Sequence, residues 1–163
     1  MTLNADILIR IILETAAAAF IAPAFAMLFT VPAKYLIFTA LGGAVTRFFR
    51  SLFFLGLHME IVMATFFACA IVSLLFIYIG PKLNVPRPVF TVASIIALIP
   101  GMDAYNALLS IMNLIEVKDI NTLNEIIFTL LHSGARCGAI LLAIALGIAV
   151  PPLFFYKYRH QRL

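Results

Sequence analysis

Long apolar stretches separated by short turns dominate the chain. A hydrocarbon core about 30 Å thick requires about 20 apolar residues of helix, and we expect membrane-spanning helices at approximately Ile7–Phe29, Tyr35–Leu57, Ile61–Ile79, Val89–Met112 and Leu130–Tyr156. The longest polar stretch, Asn113–Asn124, is expected to be an extramembrane loop. The pattern predicts an all-α integral membrane bundle of about five helices, with residues 1–163 forming a single transmembrane domain.

Composition agrees with this pattern, since 64% of the residues are apolar and 11% are charged. In soluble globular chains about 45–50% of the residues are apolar and about 25% are charged. A mean hydropathy of +1.13 argues against a soluble enzyme and against a nucleic-acid-binding module. Nucleotide-binding loops of the GxxxxGK[ST] type are absent from the sequence, as are HExxH, CxxC and GxSxG. We therefore expect neither enzymatic activity nor a cofactor or metal.

The charged residues predict an orientation in the membrane. Basic residues follow the first and third predicted helices and fill the tail, at Lys34, Lys82, Arg87, Lys157, Arg159 and Arg162. Acidic residues prevail on the other side, at Asp6, Glu60, Glu116, Asp119 and Glu125, against Lys118. Because basic loops stay in the cytoplasm, we expect a cytoplasmic C-terminus and a periplasmic N-terminus. A cleaved signal peptide is the competing interpretation of the first segment, but Glu14 in its apolar region argues against it.

Ionisable residues inside apolar helices are expensive and often functional. In the first helix, Asp6, Arg10 and Glu14 follow one another at a spacing of four, which places them on one face. An ion pair within the helix explains this spacing. Alternatively, Glu14 is a carboxylate that carries a proton.

The second helix carries Arg47 and Arg50 three residues apart, well inside the predicted span. Their side chains could extend to the outer headgroups. Alternatively, the two guanidinium groups form a clamp for a substrate carboxylate, since the planar fork of arginine binds carboxylates in a bidentate manner.

The fourth helix contains Pro100 and Gly101 near its middle, which predicts a kink or a break. Broken helices at this depth form substrate sites in transporters, because the new N-terminus offers a positive dipole end. Polar residues follow on one stripe of the second half, at Asp103, Asn106, Ser110 and Asn113. We predict substrate binding at Gly101, Tyr105 and Asn106, and proton coupling at Asp103 or Glu14. Capping by Asp103 and a kink that serves packing alone are the structural alternatives.

The last helix begins with His132 and Arg136 at a spacing of four, together with Gly134 and Gly138. The two glycines form a small-xxx-small pattern that lets another helix approach closely.

The sequence also resembles a known family. The resemblance lies in Pro88-Val-Phe90, in Ile99-Pro-Gly101 with Tyr105, in Gly42–Gly43 with Arg50 upstream, and in a last helix that ends in prolines and a basic tail. This pattern is similar to the threonine/serine exporter (ThrE) family, in particular to its small separate YjjB-type subunit. The resemblance implies export of small carboxylate metabolites, succinate or threonine and serine, across the bacterial inner membrane. It also implies a larger YjjP-type subunit as partner, and it leaves a higher oligomer open.

The sequence therefore predicts a membrane subunit of a secondary exporter. Two alternatives remain open. One is a structural or assembly subunit whose partner holds the substrate path. The other is a membrane-embedded enzyme that uses His132, Arg136 and Asp103 at the lipid interface.

Overall fold

The computed structural model describes residues 5–83, 87–116 and 119–160, and helices account for nearly all of them. Within these described ranges the α-helices are α1 Ala5–Leu28, α2 Leu36–Ser51, α3 Ile61–Ile79, α4 Arg87–Ile95, α5 Gly101–Glu116 and α6 Ile120–His160. The described residues contain no strand. The predicted all-α membrane fold is therefore confirmed. Two of the residues that enter the orientation argument, Lys118 and Arg162, lie outside the described residues.

Four helical segments among the described residues are long and apolar enough to cross a membrane: Ala5–Leu28, Ala33–Gly56, Ile61–Ile79 and Thr122–Phe155. A bent pair of helices, Pro88–Leu98 and Gly101–Glu116, gives a fifth crossing if the pair forms one span. This agrees with the predicted number of about five.

The second of these segments is longer than α2 because irregular helical turns extend it at both ends. A 3₁₀ turn, Ala33–Tyr35, precedes α2, and a π-helical turn, Leu52–Gly56, follows it. The π turn leads to His58, whose φ of 52° lies in the left-handed region. Such turns are rare and frequently occur at functional sites.

The predicted break in the fourth helix is present at the predicted residues. Helix α4 ends in a 3₁₀ turn, Ile96–Leu98, and α5 begins at Gly101. The two helical segments are bent by 62° at the break. Pro100 has no amide hydrogen to continue the first helix, and its carbonyl accepts the Ala104 amide at 3.0 Å in the first turn of α5. The Gly101 amide donates to the Ile99 carbonyl at 2.9 Å.

The predicted extramembrane loop Asn113–Asn124 is wrong for most of its length. Helix α5 continues to Glu116, and α6 begins at Ile120. Asp119 caps the new helix, because its Oδ2 accepts the Thr122 amide at 3.2 Å and the Thr122 hydroxyl at 3.1 Å. Side-chain capping of this kind stabilises a helix start, so the polar residues at the start of α6 are compatible with a helix.

The described chain divides into two compact units. The first unit contains the residues up to Leu98 together with those from Ala143 onward, and the second unit contains Ile99–Leu142. The expectation of a single transmembrane domain stays a prediction.

Small residues let the helices of the first unit approach closely. A Cβ atom on Gly43 would lie 2.5 Å from the Ala22 Cβ and 2.8 Å from the Ala18 carbonyl oxygen, so α1 and α2 are in contact at this point. A Cβ atom on Gly147 would lie 2.7 Å from the Cys69 Cβ, which brings α6 against α3. Phe76 and Phe90 stack with ring centroids 5.4 Å apart and are almost fully buried. The first of these contacts fixes α2 beside α1, and the last joins α3 to α4.

Candidate functional site

The principal candidate site lies in the first unit, where α1 carries Glu14 and α2 carries Arg47. The Glu14 Oε2 atom lies 3.4 Å from the Arg47 Nη2 atom and accepts a hydrogen bond of 2.5 Å from the Ser51 hydroxyl. The Arg10 Nε atom donates to the other carboxylate oxygen, Oε1, at 3.2 Å. We call these four residues the Glu14 cluster.

Each helix places its members of the cluster by simple spacing. Arg10 precedes Glu14 by four residues in α1, and Arg47 precedes Ser51 by four residues in α2, so each pair shares one face. The close approach of the two helices at Gly43 and Ala18 then brings the faces together. The predicted ion pair of Arg10 with Glu14 is present.

The two arginines of α2 also bind the end of the broken helix. Arg47 Nη1 donates to the Ala97 carbonyl at 3.2 Å, and Arg50 Nη1 donates to the Leu98 carbonyl at 3.0 Å. The last carbonyls of a helix have no partner within the helix, and they form the negative end of its dipole. The guanidinium groups therefore stabilise the carboxyl end of α4 and its 3₁₀ turn where Pro100 interrupts the chain.

The Glu14 cluster remains partly open to its surroundings. The side chains of Glu14 and Arg47 are 23% and 25% exposed, and Arg10 is 65% exposed. A guanidinium group has five N–H donors, and the two contacts of Arg47 named above use only part of them. Arg47 therefore keeps donor capacity for an anion in addition to its bond to Ala97.

A pocket lies beyond the cluster along the same two helices. Its volume is about 350 Å³, and its lining consists of Ile7, Phe54, Leu55, His58, Met59 and Glu60. Ile7 is two helical turns before Glu14, and Leu55 is one turn after Ser51. Small-molecule sites have volumes of about 300–1,000 Å³, so this space is large enough for a small metabolite.

The second unit contains a separate pair of charges. The Arg136 Nε atom of α6 lies 3.6 Å from the Asp103 Oδ2 atom of α5, and the two side chains are 41% and 22% exposed. We call them the Asp103 pair. Asp103 lies in the first turn of α5, where a negative charge interacts favourably with the helix dipole.

The remaining predicted residues of the second unit show few specific contacts. Tyr105 is 59% exposed, and the Asn106 carbonyl accepts the Ser110 hydroxyl at 2.8 Å. No described atom would lie within 4 Å of a Cβ atom built on Gly101, Gly134 or Gly138. The small-xxx-small pattern of α6 thus has no close neighbour among the described residues.

Two parts of the site were not predicted from the sequence. Ser51 was missed because a serine in an apolar helix usually bonds to its own backbone. The carbonyl partners of Arg47 and Arg50 were also missed. Each lies far away in the sequence, with separations of 50 and 48 residues, and local spacing cannot pair such distant residues. The only signal in the sequence that could have identified Ser51 was its spacing of four residues from Arg47.

The long apolar helices and the charged residues between them define a multi-pass membrane protein. Within this class, the model of the threonine/serine exporter ThrE family matches residues 14–154. The chain belongs to this family, and the resemblance noted in its sequence is confirmed.

One curated relative is an uncharacterized protein of Haemophilus influenzae (strain ATCC 51907 / DSM 11121 / KW20 / Rd). It is 32% identical over 152 residues, which cover 93% of this chain and 50% of that protein. The chain thus spans about half the length of this curated relative. No solved structure shows a significant similarity to this chain.

Proposed function

We propose that the chain is a membrane subunit of a secondary exporter for small carboxylate metabolites, succinate or threonine and serine. In this proposal it works in the bacterial inner membrane with a larger YjjP-type subunit, with the N-terminus periplasmic and the C-terminus cytoplasmic. Membership of the exporter family supports the activity. The match covers only half of the curated relative, so that protein contains about as many residues again outside the matched part. This supports a need for further helices.

The observation that carries the proposal is the position of Arg47 and Arg50. Both guanidinium groups lie on a membrane-spanning segment and are anchored to the broken helix at Ala97 and Leu98. An anchored guanidinium group binds a carboxylate at a smaller cost in side-chain entropy than a mobile one. We propose that these two residues bind the carboxylate of the substrate, and that the pocket beside them is its outer vestibule.

The predicted roles in the second unit are part of the same proposal. Gly101, Tyr105 and Asn106 are proposed to contribute to substrate binding, with the amides at the start of α5 directed toward an anion. Proton coupling is assigned to Asp103 or to Glu14, each of which lies beside an arginine. Both carboxylates lie on helical segments that are apolar enough to cross a membrane, where a change of charge is strongly coupled to the surroundings.

Efflux from a bacterial strain that lacks both subunits tests this proposal. The chain is expressed with and without the larger subunit, and the efflux of succinate, threonine and serine is followed. We expect efflux only when both are present. Efflux from this chain alone would contradict the two-subunit arrangement.

Variants of Arg50 test the clamp in the same assay. Arg50→Gln is expected to lower efflux at least about tenfold with normal amounts of protein in the membrane. Arg50→Lys is expected to restore little, since lysine keeps the charge but not the planar fork. Lys34→Gln, which removes a charge over the Tyr35 ring, serves as the control. Unchanged efflux in Arg50→Gln would remove the clamp from the mechanism.

A structural subunit is the second candidate, and one observation favours it. Arg47 and Arg50 bind backbone carbonyls, and this alone would explain their presence in the membrane. In that case the Arg50 variants would reduce the amount of assembled complex, and the efflux per complex would not change. Co-purification of the two subunits, measured with the efflux, separates the two candidates.

A further inference from the structure

The Glu14 cluster contains a carboxylate and a guanidinium group in the same place where the exporter is proposed to bind a substrate carboxylate. We propose that Glu14 is an internal competitor of the substrate, which neutralises Arg47 in the empty protein and gives way to the substrate carboxylate. This inference rests on the proposed function. It adds that the Glu14 carboxylate and the substrate carboxylate exchange places at the Arg47 guanidinium group.

The contact between Glu14 and Arg47 is suited to exchange because it is long. Charge-assisted hydrogen bonds between N–H and a carboxylate usually measure about 2.7–2.9 Å, whereas the distance from Arg47 Nη2 to Glu14 Oε2 is 3.4 Å. Only one oxygen of the Glu14 carboxylate contacts Arg47, since the other, Oε1, accepts the hydrogen bond from Arg10. A substrate carboxylate that binds in a bidentate manner therefore makes a stronger contact with Arg47 than Glu14 does.

Glu14 remains stabilised after it leaves Arg47. Its Oε2 atom accepts the Ser51 hydroxyl at 2.5 Å, and its Oε1 atom accepts the Arg10 N–H at 3.2 Å. Ser51 is 4% exposed, so water does not easily replace this hydrogen bond. Ser51 and Arg10 are positioning residues, because they hold the Glu14 carboxylate while Arg47 exchanges its partner.

Arg47 also requires a counter-charge when no substrate is bound. An unpaired charge in a membrane-spanning segment is costly. In the empty protein the single charge of Glu14 is shared between Arg10 and Arg47, and in the loaded protein the substrate supplies a second carboxylate to Arg47. The bond of Arg47 to the Ala97 carbonyl fixes the guanidinium group during the exchange.

Equilibrium binding of radiolabelled succinate tests the competition. The chain is used together with the larger subunit in membrane vesicles at constant pH. A competitor lowers the apparent affinity for the substrate, so Glu14→Gln is expected to lower the Kd of succinate about tenfold. Glu14→Asp, with a shorter side chain that retreats from Arg47, is expected to lower it about threefold. Glu125→Gln removes a carboxylate in the second unit and is the matched control, with no change expected.

A second arm tests whether the effect passes through Arg47. In an Arg47→Gln background, we expect that Glu14→Gln no longer increases the affinity, because the shared partner is absent. A purely structural role of Glu14 would instead weaken binding in every background. Glu14→Asp decides the question by itself if Glu14→Gln does not reach the membrane.

The possible results separate this inference from the proposed function. Tighter binding by Glu14→Gln and Glu14→Asp supports the competition. Binding by the wild-type protein with no gain in either variant overturns the competition and leaves the exporter. If the wild-type complex does not bind succinate, the same measurements are made with threonine and serine, and absence of binding of all three overturns both proposals.

Discussion

The two charged regions of the molecule are built in different ways. In the Glu14 cluster one carboxylate contacts two arginines and a serine, and Arg47 also holds a backbone carbonyl. The Asp103 pair depends on one contact of 3.6 Å, and the Arg136 side chain is 41% exposed. The first region connects α1 and α2, which are in close contact at Gly43. The two carboxylates are exposed to a similar extent, 23% for Glu14 and 22% for Asp103, so the regions differ in how many contacts hold the carboxylate.

Glycine substitutions are expected to show the largest contrast between the two units. Gly43→Leu inserts a side chain where even a Cβ atom would lie 2.5 Å from the Ala22 Cβ. Overpacking typically costs about 1–3 kcal/mol and occasionally more, and because this clash involves backbone as well as a side chain, we expect a clear loss of thermal stability in detergent. Gly134→Leu has no described atom within 4 Å of its Cβ and is expected to keep the stability of the wild-type chain. Equal losses in both variants would show that the second unit is as closely packed as the first.

Serine substitutions give a smaller and more local contrast. Ser51→Ala removes the hydroxyl that donates to Glu14 at 2.5 Å and leaves a partly buried carboxylate with one bond fewer. A hydrogen bond to a charged group contributes about 1.5–3 kcal/mol, and we expect a loss at the lower end of this range because Glu14 keeps its contacts with Arg10 and Arg47. Ser110→Ala removes a bond of 2.8 Å to the Asn106 carbonyl of the same helix, and a loss of about 0.5 kcal/mol or less is expected. Thermal unfolding of the two variants measures the difference, and a larger loss for Ser110→Ala would reverse the comparison.

Loss of the Asp103 pair is expected to have the smallest effect on stability. Ion pairs with an exposed partner contribute about 0–1 kcal/mol, so Arg136→Gln should change the unfolding temperature only slightly. The same measurement on Arg136→Lys provides the control for charge. A loss as large as that of Ser51→Ala would show that the Asp103 pair is buried in the assembled protein.

Much of the fold follows from the sequence, because membrane helices depend on length and apolar composition. Ile61–Ile79 agrees residue by residue with the predicted third helix, and the break at Pro100 follows from the missing amide hydrogen. The loop at Asn113–Asn124 was wrong at both of its ends, because the polar residues in 113–116 and 120–124 are compatible with a helix. The start of α6 at Ile120 depends on the hydrogen bond from the Thr122 amide to Asp119, and the sequence alone did not identify this bond.

The candidate site was predictable only in part. The pair of Arg10 and Glu14 follows from a spacing of four within one helix. The bonds from Arg47 to Ala97 and from Arg50 to Leu98 depend on how α2 and α4 align, which local spacing does not contain. The assignment of Arg47, Arg50, Gly101, Tyr105 and Asn106 to substrate binding stays a prediction.

The π-helical turn at Leu52–Gly56 has a consequence for sequence variation in this family. A π turn holds one more residue than the α-helical path it replaces, so a deletion of one residue between Phe53 and Leu55 converts the segment to a regular helix. Every residue that follows would then rotate by about 100° around the helix axis. Such a deletion would move His58 away from Ile7 and close the pocket while the Glu14 cluster remained intact. Relatives that are one residue shorter at this point would accordingly lack this pocket.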